Sequence, residues 1–204
     1  MGQDKAACIL AGQPLLAHML DKLQALGLRA RVAGLRAPVG GVTADVIEDA
    51  HPDCGPLSGI ETALRECQAD AAVVLGVDLP LLSTDFLTIL LERAERTDAA
   101  ATIPRVTGAP QPLCAVYRRR LLEPISRSLR AGDHKVMRVV LEGAAAMGGS
   151  VHRNADLFDM ELIAAAGAAG ERNTWLPPHF QVMNCNTPAE LAFAASLLAS
   201  DPML

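Results

Sequence analysis

The chain of 204 residues is 50% hydrophobic and 20% charged, which is the size and polarity of one globular domain spanning residues 1–204. Its 18 Lys and Arg residues against 23 Asp and Glu give a formal net charge of −5, and this acidic balance argues against nucleic acid as the main partner. No run of about 18 apolar residues occurs in the sequence, which therefore predicts no membrane span.

The cysteines and the N-terminus indicate the compartment. The five cysteines are widely spaced and form no C-x-x-C pair, a usage typical of reduced thiols. The charged residues among Met1 to Lys5 are not followed by the apolar core of a secretory signal. A cytoplasmic protein is therefore expected.

Helices are predicted where apolar residues recur at three- and four-residue steps beside a start or stop signal. Pro14 suits the first turn of the first helix and Gly27 its end, while Ser83 or Thr84 can cap another helix. Gly143 is expected to end a further one. The predicted helices cover residues 13–26, 55–67, the segment that follows 83, 121–130, 135–142 and a C-terminal segment from 188 onward.

Strands are predicted at short apolar runs between these helices. The run from Ala71 to Val77 is nearly continuous, as in a strand of a parallel sheet that is covered on both faces. The other predicted strands cover residues 30–35, 45–47, 99–104, 112–117 and 180–185, and the small-residue stretches 143–149 and 164–170 are expected to be loops or helix ends. Because strands and helices alternate, we predict a three-layer α/β fold with a mainly parallel sheet and helices on both faces.

The segment Val77-Asp78-Leu79-Pro80 is the sharpest local signal. A carboxylate directly after a buried strand lies at the carboxyl edge of the sheet, where open α/β folds bind ligands. With water and phosphate oxygens as further ligands, Asp78 could hold Mg²⁺ against a nucleotide. An aspartate is also a common turn residue, so this segment alone leaves both interpretations open.

A second candidate is Glu48-Asp49 together with the turn Gly55-Pro56. A Gly-Pro turn into a helix directs backbone N–H groups and the positive helix end towards a bound anion. A plain helix start with proline in its first turn explains the same residues.

Other polar residues could complete such a site. Lys5 could bind phosphate, although a lysine near a terminus is more often only solvated. Asn184 and Asn186 close the last predicted strand and could line a site, but a helix cap is sufficient to explain Asn186. The loop containing Lys135 and Arg138 could meet an anionic substrate or be a solvated surface loop. The histidines have no paired ligand spacing, so no zinc site is predicted.

Taken in order along the chain, these segments resemble the molybdenum cofactor guanylyltransferase family, within the wider nucleotidyltransferase-like, Rossmann-like α/β fold. The resemblance runs through nearly the whole chain, and several blocks in the right order are far more specific than any one of them. The matching blocks are Met1-Gly2-Gln3-Asp4-Lys5-Ala6, Leu10-Ala11-Gly12-Gln13-Pro14-Leu15, Val46-Ile47-Glu48-Asp49, Gly55-Pro56-Leu57-Ser58-Gly59-Ile60, Val77-Asp78-Leu79-Pro80, Gln111-Pro112-Leu113-Cys114-Ala115-Val116-Tyr117-Arg118, Ala131-Gly132-Asp133-His134-Lys135-Val136 and Asn184-Cys185-Asn186-Thr187-Pro188-Ala189-Glu190-Leu191.

The resemblance implies an enzyme that transfers GMP from GTP to molybdopterin and releases pyrophosphate. Asp78 would coordinate the Mg²⁺ cofactor, and Lys5 would lie on the nucleotide phosphates. Asn184 and Asn186 would line the reaction centre. Such a transfer needs in-line positioning and charge neutralisation more than a protein nucleophile, and a metal ion with a lysine supplies both.

The same resemblance assigns the substrate contacts. Asp49, Gly55 and Pro56 would help to bind the guanine nucleotide, and Lys135 and Arg138 would face the pterin phosphate. Acceptor molybdoenzymes or their chaperones would receive the product, and neither nucleic acid nor a membrane is an expected partner.

Two departures from the family leave alternatives open. In the family a buried first strand and a glycine-rich turn precede the block that begins here at Met1, so we expect the natural protein to be longer upstream. The segment Ala33-Gly34-Leu35 stands where the family tends to offer an asparagine to the base, which leaves the choice of guanine open. The alternatives are a cytidylyltransferase, another nucleotidyltransferase acting on a phosphorylated acceptor, and a truncated, non-catalytic remnant that binds a nucleotide or a pterin.

Overall fold

A computed structural model describes residues 4–35, 37–167 and 176–200. Among these residues the helices are α1 (Leu15–Ala25), α2 (Pro56–Glu66), α3 (Thr84–Thr97), α4 (Leu122–Arg130), α5 (Val136–Ala146), α6 (Val151–Asn154), α7 (Met160–Gly167), α8 (Pro178–Gln181) and α9 (Pro188–Ser200). The strands are β1 (Ile9–Leu10), β2 (Gln13–Pro14), β3 (Val32–Ala33), β4 (Val46–Ile47), β5 (Ala71–Leu75), β6 (Ala101–Val106), β7 (Ala109–Pro110), β8 (Cys114–Arg118) and β9 (Ala155–Asp159). Short 3-10 helices cover Lys5–Ala7 and Arg119–Leu121. Of the helices described, none has the length and apolar character that crossing a membrane requires.

The large sheet is mixed in direction. β8 lies between β5 and β6 and is antiparallel to both, whereas β9 is parallel to β6. β5, β6 and β9 therefore run in one direction, and β7 and β8 run in the other. The predicted α/β class is confirmed, but the pairings are mixed rather than mainly parallel. Thr107 and Gly108 form a tight turn between β6 and β7, with φ angles of +49° and +78°. A connection this short can join only antiparallel strands.

Helices pack on both faces of the large sheet, as predicted. Side chains alternate along β8, so Cys114 and Val116 belong to one core and Ala115 and Tyr117 to the other. The first core is filled from α1 and α3 by Met19, Phe86, Leu87, Leu90 and Ala94, and the second from α2, α4 and α5 by Leu57, Ile60, Leu64, Ile125, Leu129, Val139 and Val140. The three layers follow from this alternation.

The predicted start of α3 is confirmed by its cap, and that of the first helix is two residues early. Ser83 caps α3, because its Oγ accepts a hydrogen bond from the backbone N–H of Phe86 at 3.1 Å. The predicted first helix begins at Leu15 instead of residue 13. The reason is that β1 and β2 form a small hairpin about Ala11 and Gly12, whose φ angles are +48° and +86°.

Gly143 does not end α5, contrary to the prediction, because the helix continues to Ala146. A Cβ at position 143 would lie 2.9 Å from the Cβ of Pro124 and 3.2 Å from a methyl group of Leu121. The glycine is therefore explained by the close approach of α5 to the start of α4, not by a helix stop.

The predicted strand at 180–185 is wrong. Residues Pro178–Gln181 form α8, and residues 182–186 then have no regular secondary structure and pair with no described strand. Gln181 is fully buried, and its side chain accepts hydrogen bonds from the backbone N–H and hydroxyl of Ser83 and donates one to Leu176 O. These side-chain contacts replace a strand ladder.

Strand β9 lies where no strand was predicted. Its sequence includes Asp156 and Asp159, which weaken an apolar strand pattern. Arg93 pairs with Asp156 at 2.6 Å, and Arg105 pairs with Asp159 at 2.7 Å. In the stretch 164–170 the first residues end α7, and residues 168–170 lie outside the described part of the chain.

Candidate active site

Three distant segments meet at the carboxyl end of β5. Lys5 Nζ donates a hydrogen bond to Asp78 Oδ2 at 2.9 Å and another to Asn186 Oδ1. These residues are separated by 73 and 181 positions along the chain. We call Lys5, Asp78 and Asn186 the strand-end cluster.

Lys5 is held by its own 3-10 helix. Asp4 caps this helix, because its Oδ1 accepts a hydrogen bond from the backbone N–H of Ala6 at 3.1 Å. Ala6 is buried against Leu16 and Val39. The backbone of the lysine is therefore fixed, while its side chain remains 43% exposed.

Asp78 is positioned by the backbone on both sides of it. Gly76 N donates to Leu113 O at 2.7 Å, and Asp78 O accepts from Cys185 N at 2.9 Å. A Cβ on Gly76 would lie 2.8 Å from Asp78 Oδ1, so only glycine leaves room for the carboxylate. Gly76 is a candidate site residue that the sequence analysis missed, although a glycine two residues before an aspartate at a strand end could have indicated it.

Asn186 is not needed as a helix cap. Thr187 Oγ1 accepts from Glu190 N at 3.2 Å, and Glu190 Oε2 accepts from the backbone N–H groups of Asn186 and Thr187 at 2.7 Å each. This reciprocal capping box confirms the predicted start of α9. These hydrogen bonds hold the pKa of Glu190 below its usual range. The side-chain oxygen of Asn186 is thus available to Lys5.

The strand-end cluster fits a hard cation held by one protein carboxylate. Asp78 is 17% exposed, and its Oδ1 faces the space that glycine leaves at position 76. Among the described residues no group of three or more His, Cys, Asp or Glu side chains could hold a metal ion. An ion at Asp78 would therefore take most of its oxygen ligands from water and a substrate, as Mg²⁺ does in nucleotide sites.

Cys185 lies beside the strand-end cluster but is not a nucleophile. It is buried, and burial together with the carboxylates of Glu190 and Asp78 raises the pKa of its thiol to about 11. The thiol therefore stays protonated near neutral pH, whereas the thiolate is the reactive form. Asn184 precedes it in the chain and is exposed.

Asp49 follows β4, and among the described residues no hydrogen bond or ion pair joins it to the strand-end cluster. Its Oδ1 is buried and has no hydrogen-bond partner among the described residues. Gly34 faces it, since a Cβ there would lie 3.2 Å from Asp49 Oδ2 and the glycine has φ +73°. A carboxylate oxygen without a donor is the kind of group that a ligand N–H can satisfy.

Gly55 and Pro56 begin α2, as predicted. Gly55 is the N-cap residue with φ +69°, and Pro56 occupies the first turn. Pro56 also lines an apolar cavity of about 390 Å³ that extends to Gly76 and Val77, beside Asp78. The start of α2 and the end of β5 thus border one cavity, although Asp78 itself is not part of its lining.

Lys135 and Arg138 lie in a local cluster of their own. Arg138 pairs with Asp133 at 2.5 Å, and the backbone N–H of Lys135 donates to Asp133 Oδ1 at 3.1 Å. These contacts hold the pKa of Asp133 below its usual range. Within the described residues no hydrogen bond or ion pair joins this group, the α5-loop cluster, to Lys5, Asp78 or Asn186.

Comparison with protein families gives one match over most of the chain. Residues 1–147 match the MobA-like NTP transferase domain. A molybdenum cofactor guanylyltransferase of Cereibacter sphaeroides is 30% identical, with 98% of this chain and 91% of that protein covered.

Solved structures give the same fold. Molybdopterin-guanine dinucleotide biosynthesis protein A from Archaeoglobus fulgidus superposes with a TM-score of 0.69 at 22% identity, covering 98% of this chain and 92% of that one. A 2-C-methyl-D-erythritol 4-phosphate cytidylyltransferase from Thermus thermophilus superposes with a TM-score of 0.60 at 17% identity, covering 96% and 94%. Both structures support the nucleotidyltransferase-like fold.

Proposed function

Because the chain belongs to the molybdenum cofactor guanylyltransferase family, within the MobA-like NTP transferases, and is therefore a nucleotidyltransferase, we propose that it transfers GMP from GTP to molybdopterin. The strand-end cluster is the observation that carries the proposal. A lysine, a carboxylate and an amide from three remote segments meet at a strand end, where ligands bind in α/β folds.

Lys5 and Asp78 have complementary electrostatic roles in this proposal. Lys5 Nζ is a compact point charge that neutralises phosphate oxygens, and Asp78 is its partner when no nucleotide is bound. Asp78 would hold Mg²⁺, which supplies neutralisation of the triphosphate charge and of the pyrophosphate leaving group. Asn186 orients Lys5 through its side-chain oxygen, and Asn184 would line the same reaction centre.

Asp49 is proposed as the contact to the base. Guanine offers an amino group beside a ring N–H. Oδ1 of Asp49, which has no hydrogen-bond partner among the described residues, is an acceptor for such donors. Gly34 leaves space beside this carboxylate, and Gly55 and Pro56 would border the nucleotide at the start of α2.

Lys135 and Arg138 are proposed to meet the pterin phosphate. Both side chains are exposed at the start of α5, and Arg138 would exchange Asp133 for the phosphate when the substrate binds.

We also propose that residues 1–204 act as one domain and that molybdoenzymes or their chaperones receive the product. The free cysteines of the described residues support the further proposal that the protein is cytoplasmic.

A nucleotide-transfer assay tests this proposal. The protein is incubated with α-labelled GTP or CTP, with molybdopterin present or omitted, in Mg²⁺ or in excess EDTA. We expect labelled dinucleotide product only from GTP with molybdopterin and Mg²⁺. Product from CTP instead would assign the cytidylyltransferase activity, which the fold of the cytidylyltransferase neighbour accommodates. No product from either nucleotide would contradict the proposal and favour a binding remnant.

A further inference from the structure

Arg105, near the end of β6, has hydrogen-bonding capacity that its partner does not use. Its Nη2 pairs with Asp159 Oδ2 at 2.7 Å, whereas its Nε is buried and has no hydrogen-bond partner among the described residues. The side chain as a whole is 40% exposed. Because a buried donor without an acceptor costs free energy, the unpaired Nε requires an explanation.

A second arginine that pairs with β9 shows the geometry of a complete ion pair. Arg93 donates from Nε and Nη2 to the two carboxylate oxygens of Asp156, at 2.6 and 2.9 Å. Asp156 and Asp159 both belong to β9, so the two pairs differ in geometry and not in the type of partner. The guanidinium of Arg105 uses one donor where that of Arg93 uses two, and it therefore keeps donors for a further anion.

Arg118 also has a buried Nε without a partner among the described residues, but its position does not suit a substrate. It lies opposite Ala71, the first residue of β5, and so at the other edge of the sheet. Its Nη atoms pair with Asp70 at 2.8 Å and with Asp98 at 3.2 Å. Two carboxylates thus neutralise Arg118, whereas the ion pair of Arg105 involves one.

The strand register places Arg105 at the height of the strand-end cluster. The relative heights of the strands follow from two pairings made by β8, Leu75 with Cys114 and Thr102 with Val116. They make Arg105 level with Gly76, at a distance of two strand spacings, or about 10 Å. Asp78 follows two positions after Gly76. Ala101 and Ile103 of β6 face the core formed with α2, α4 and α5, so the alternation along β6 puts Arg105 on that face.

Arg105 also lies between the strand-end cluster and the α5-loop cluster. In the sheet β6 stands between β8 and β9. β9 follows α6 directly, and Asn154 Nδ2 donates to Ala144 O at 3.0 Å, so the end of α5 lies at the amino end of β9. α5 packs on the sheet and is about as long as β9, roughly 16 Å. Its start, with Lys135 and Arg138, therefore lies at the same carboxyl edge as Arg105.

We propose that Arg105 binds the phosphate of the acceptor, an assignment that rests on the proposed function. In the transfer an oxygen of this phosphate attacks the α-phosphorus of the nucleotide. A new P–O bond forms, the bond from the α-phosphorus to its bridging oxygen breaks, and pyrophosphate leaves with the electron pair. The acceptor phosphate must therefore reach the strand-end cluster, and Arg105 lies closer to that cluster than Lys135 and Arg138 do.

The donor geometry of Arg105 suits a phosphate. A guanidinium binds phosphate oxygens through two parallel N–H groups, and Asp159 occupies only one donor of Arg105. A phosphate oxygen that accepts from Nε would satisfy the buried donor. The α5-loop cluster would then contact the same acceptor from its other side.

NMR of the arginine Nε–H groups tests the site without transfer activity. The full chain, labelled with nitrogen-15 in its arginines, is titrated with methyl phosphate, a simple phosphomonoester, at constant ionic strength. The resonance of Arg105 should shift saturably, whereas that of Arg93 should stay constant because its Nε is already bonded to Asp156. The variants Arg105→Gln and Arg93→Gln assign the two resonances.

Transfer kinetics give the second readout. Arg105→Gln should raise the KM for the phosphorylated acceptor about 10- to 100-fold, the range of one lost hydrogen bond to a charged group, and leave the nucleotide KM unchanged. The matched control Arg93→Gln removes an arginine from the other ion pair of β9 and should change neither KM. Should Arg105→Gln fail to fold by circular dichroism, Arg105→Lys keeps a cation for Asp159 but has no Nε–H, and it should also raise the acceptor KM.

The outcomes separate this assignment from the proposed function. Wild-type protein that makes no dinucleotide would contradict the proposed function, while a saturable shift confined to Arg105 would still support a phosphate site. Active wild-type protein with an unchanged acceptor KM in Arg105→Gln would contradict the role of Arg105 alone. A rise in the nucleotide KM instead would assign Arg105 to the triphosphate. Equal shifts of Arg93 and Arg105, or no shift of either, would contradict the phosphate site itself.

Discussion

The strand-end cluster and the α5-loop cluster contain the same kinds of charged group but are built in different ways. Lys5, Asp78 and Asn186 come from segments as far as 181 residues apart, and Asp78 is only 17% exposed. Asp133 and Arg138 lie five positions apart, and Arg138 is 52% exposed. The exposed pair of Asp133 and Arg138 lies at the start of α5, and a surface ion pair of this kind needs no further explanation. A half-buried carboxylate joined to a lysine 73 positions away requires the whole fold.

The largest effect is expected when the carboxylate of the strand-end cluster is neutralised. Asp78→Asn should reduce nucleotide transfer by at least about 100-fold, because an amide is a poor ligand for a hard cation and loses the charge that orients Lys5. Steady-state kinetics at saturating Mg²⁺ measures the loss. The matched control Asp133→Asn removes a carboxylate from the α5-loop cluster and should retain activity within about threefold. Equal losses in the two variants would erase the distinction between the clusters.

Removing the cation of the strand-end cluster should have the next largest effect. Lys5→Gln is expected to raise the KM for the nucleotide about 10- to 100-fold, the range of one lost hydrogen bond to a charged group. Nucleotide titration of the purified variants gives this value. Arg138→Gln should leave the nucleotide KM unchanged and raise only the KM for the pterin substrate. A nucleotide effect in Arg138→Gln would place the α5-loop cluster at the triphosphate instead.

A substitution at Gly76 tests whether activity depends on the position of the Asp78 carboxylate and not only on its charge. Gly76→Ala places a methyl group 2.8 Å from Asp78 Oδ1, which is closer than two such atoms can approach. The carboxylate must therefore move, while its charge remains. We expect kcat to fall about tenfold or more, as for a small misplacement of a reacting group, with little change in thermal midpoint. Gly59→Ala adds the same methyl group in open space and should keep full activity. Unchanged kcat in Gly76→Ala would show that the position of Asp78 is not critical.

The smallest effect is a pH response confined to the α5-loop cluster. Arg138 is the largest cause of the lowered pKa of Asp133, so Arg138→Gln should move the carboxyl titration of Asp133, followed by NMR, to higher pH. Because the folded-state pKa is depressed, its stabilising contribution is present above the ordinary aspartate range and is lost as pH falls through the folded value. Because the pair lies at the surface, this contribution is small, so Arg138→Gln should lower the thermal midpoint at neutral pH only slightly. An unshifted titration would mean that Arg138 is not the partner of Asp133 in solution.

The elements that the sequence predicted well are those with local signals. The cap at Ser83 and the capping box of Thr187 and Glu190 mark helix starts within four residues. The strand at 180–185 was wrong because the buried side chain of Gln181 bonds to Ser83, 98 positions away. Strand β9 was missed because Asp156 and Asp159 are neutralised by arginines from α3 and β6.

The sequence by itself determined the α/β class, most helix boundaries, the family and the candidate residues Lys5, Asp78 and Asn186. Periodicity and capping act over a few residues, and the blocks that resemble the family can be read in order along the chain, so neither needs coordinates. Only the tertiary structure decided that these three residues touch and that Lys135 and Arg138 stand apart from them. Such contacts depend on how strands and helices pack across the sheet, and no local pattern specifies that packing.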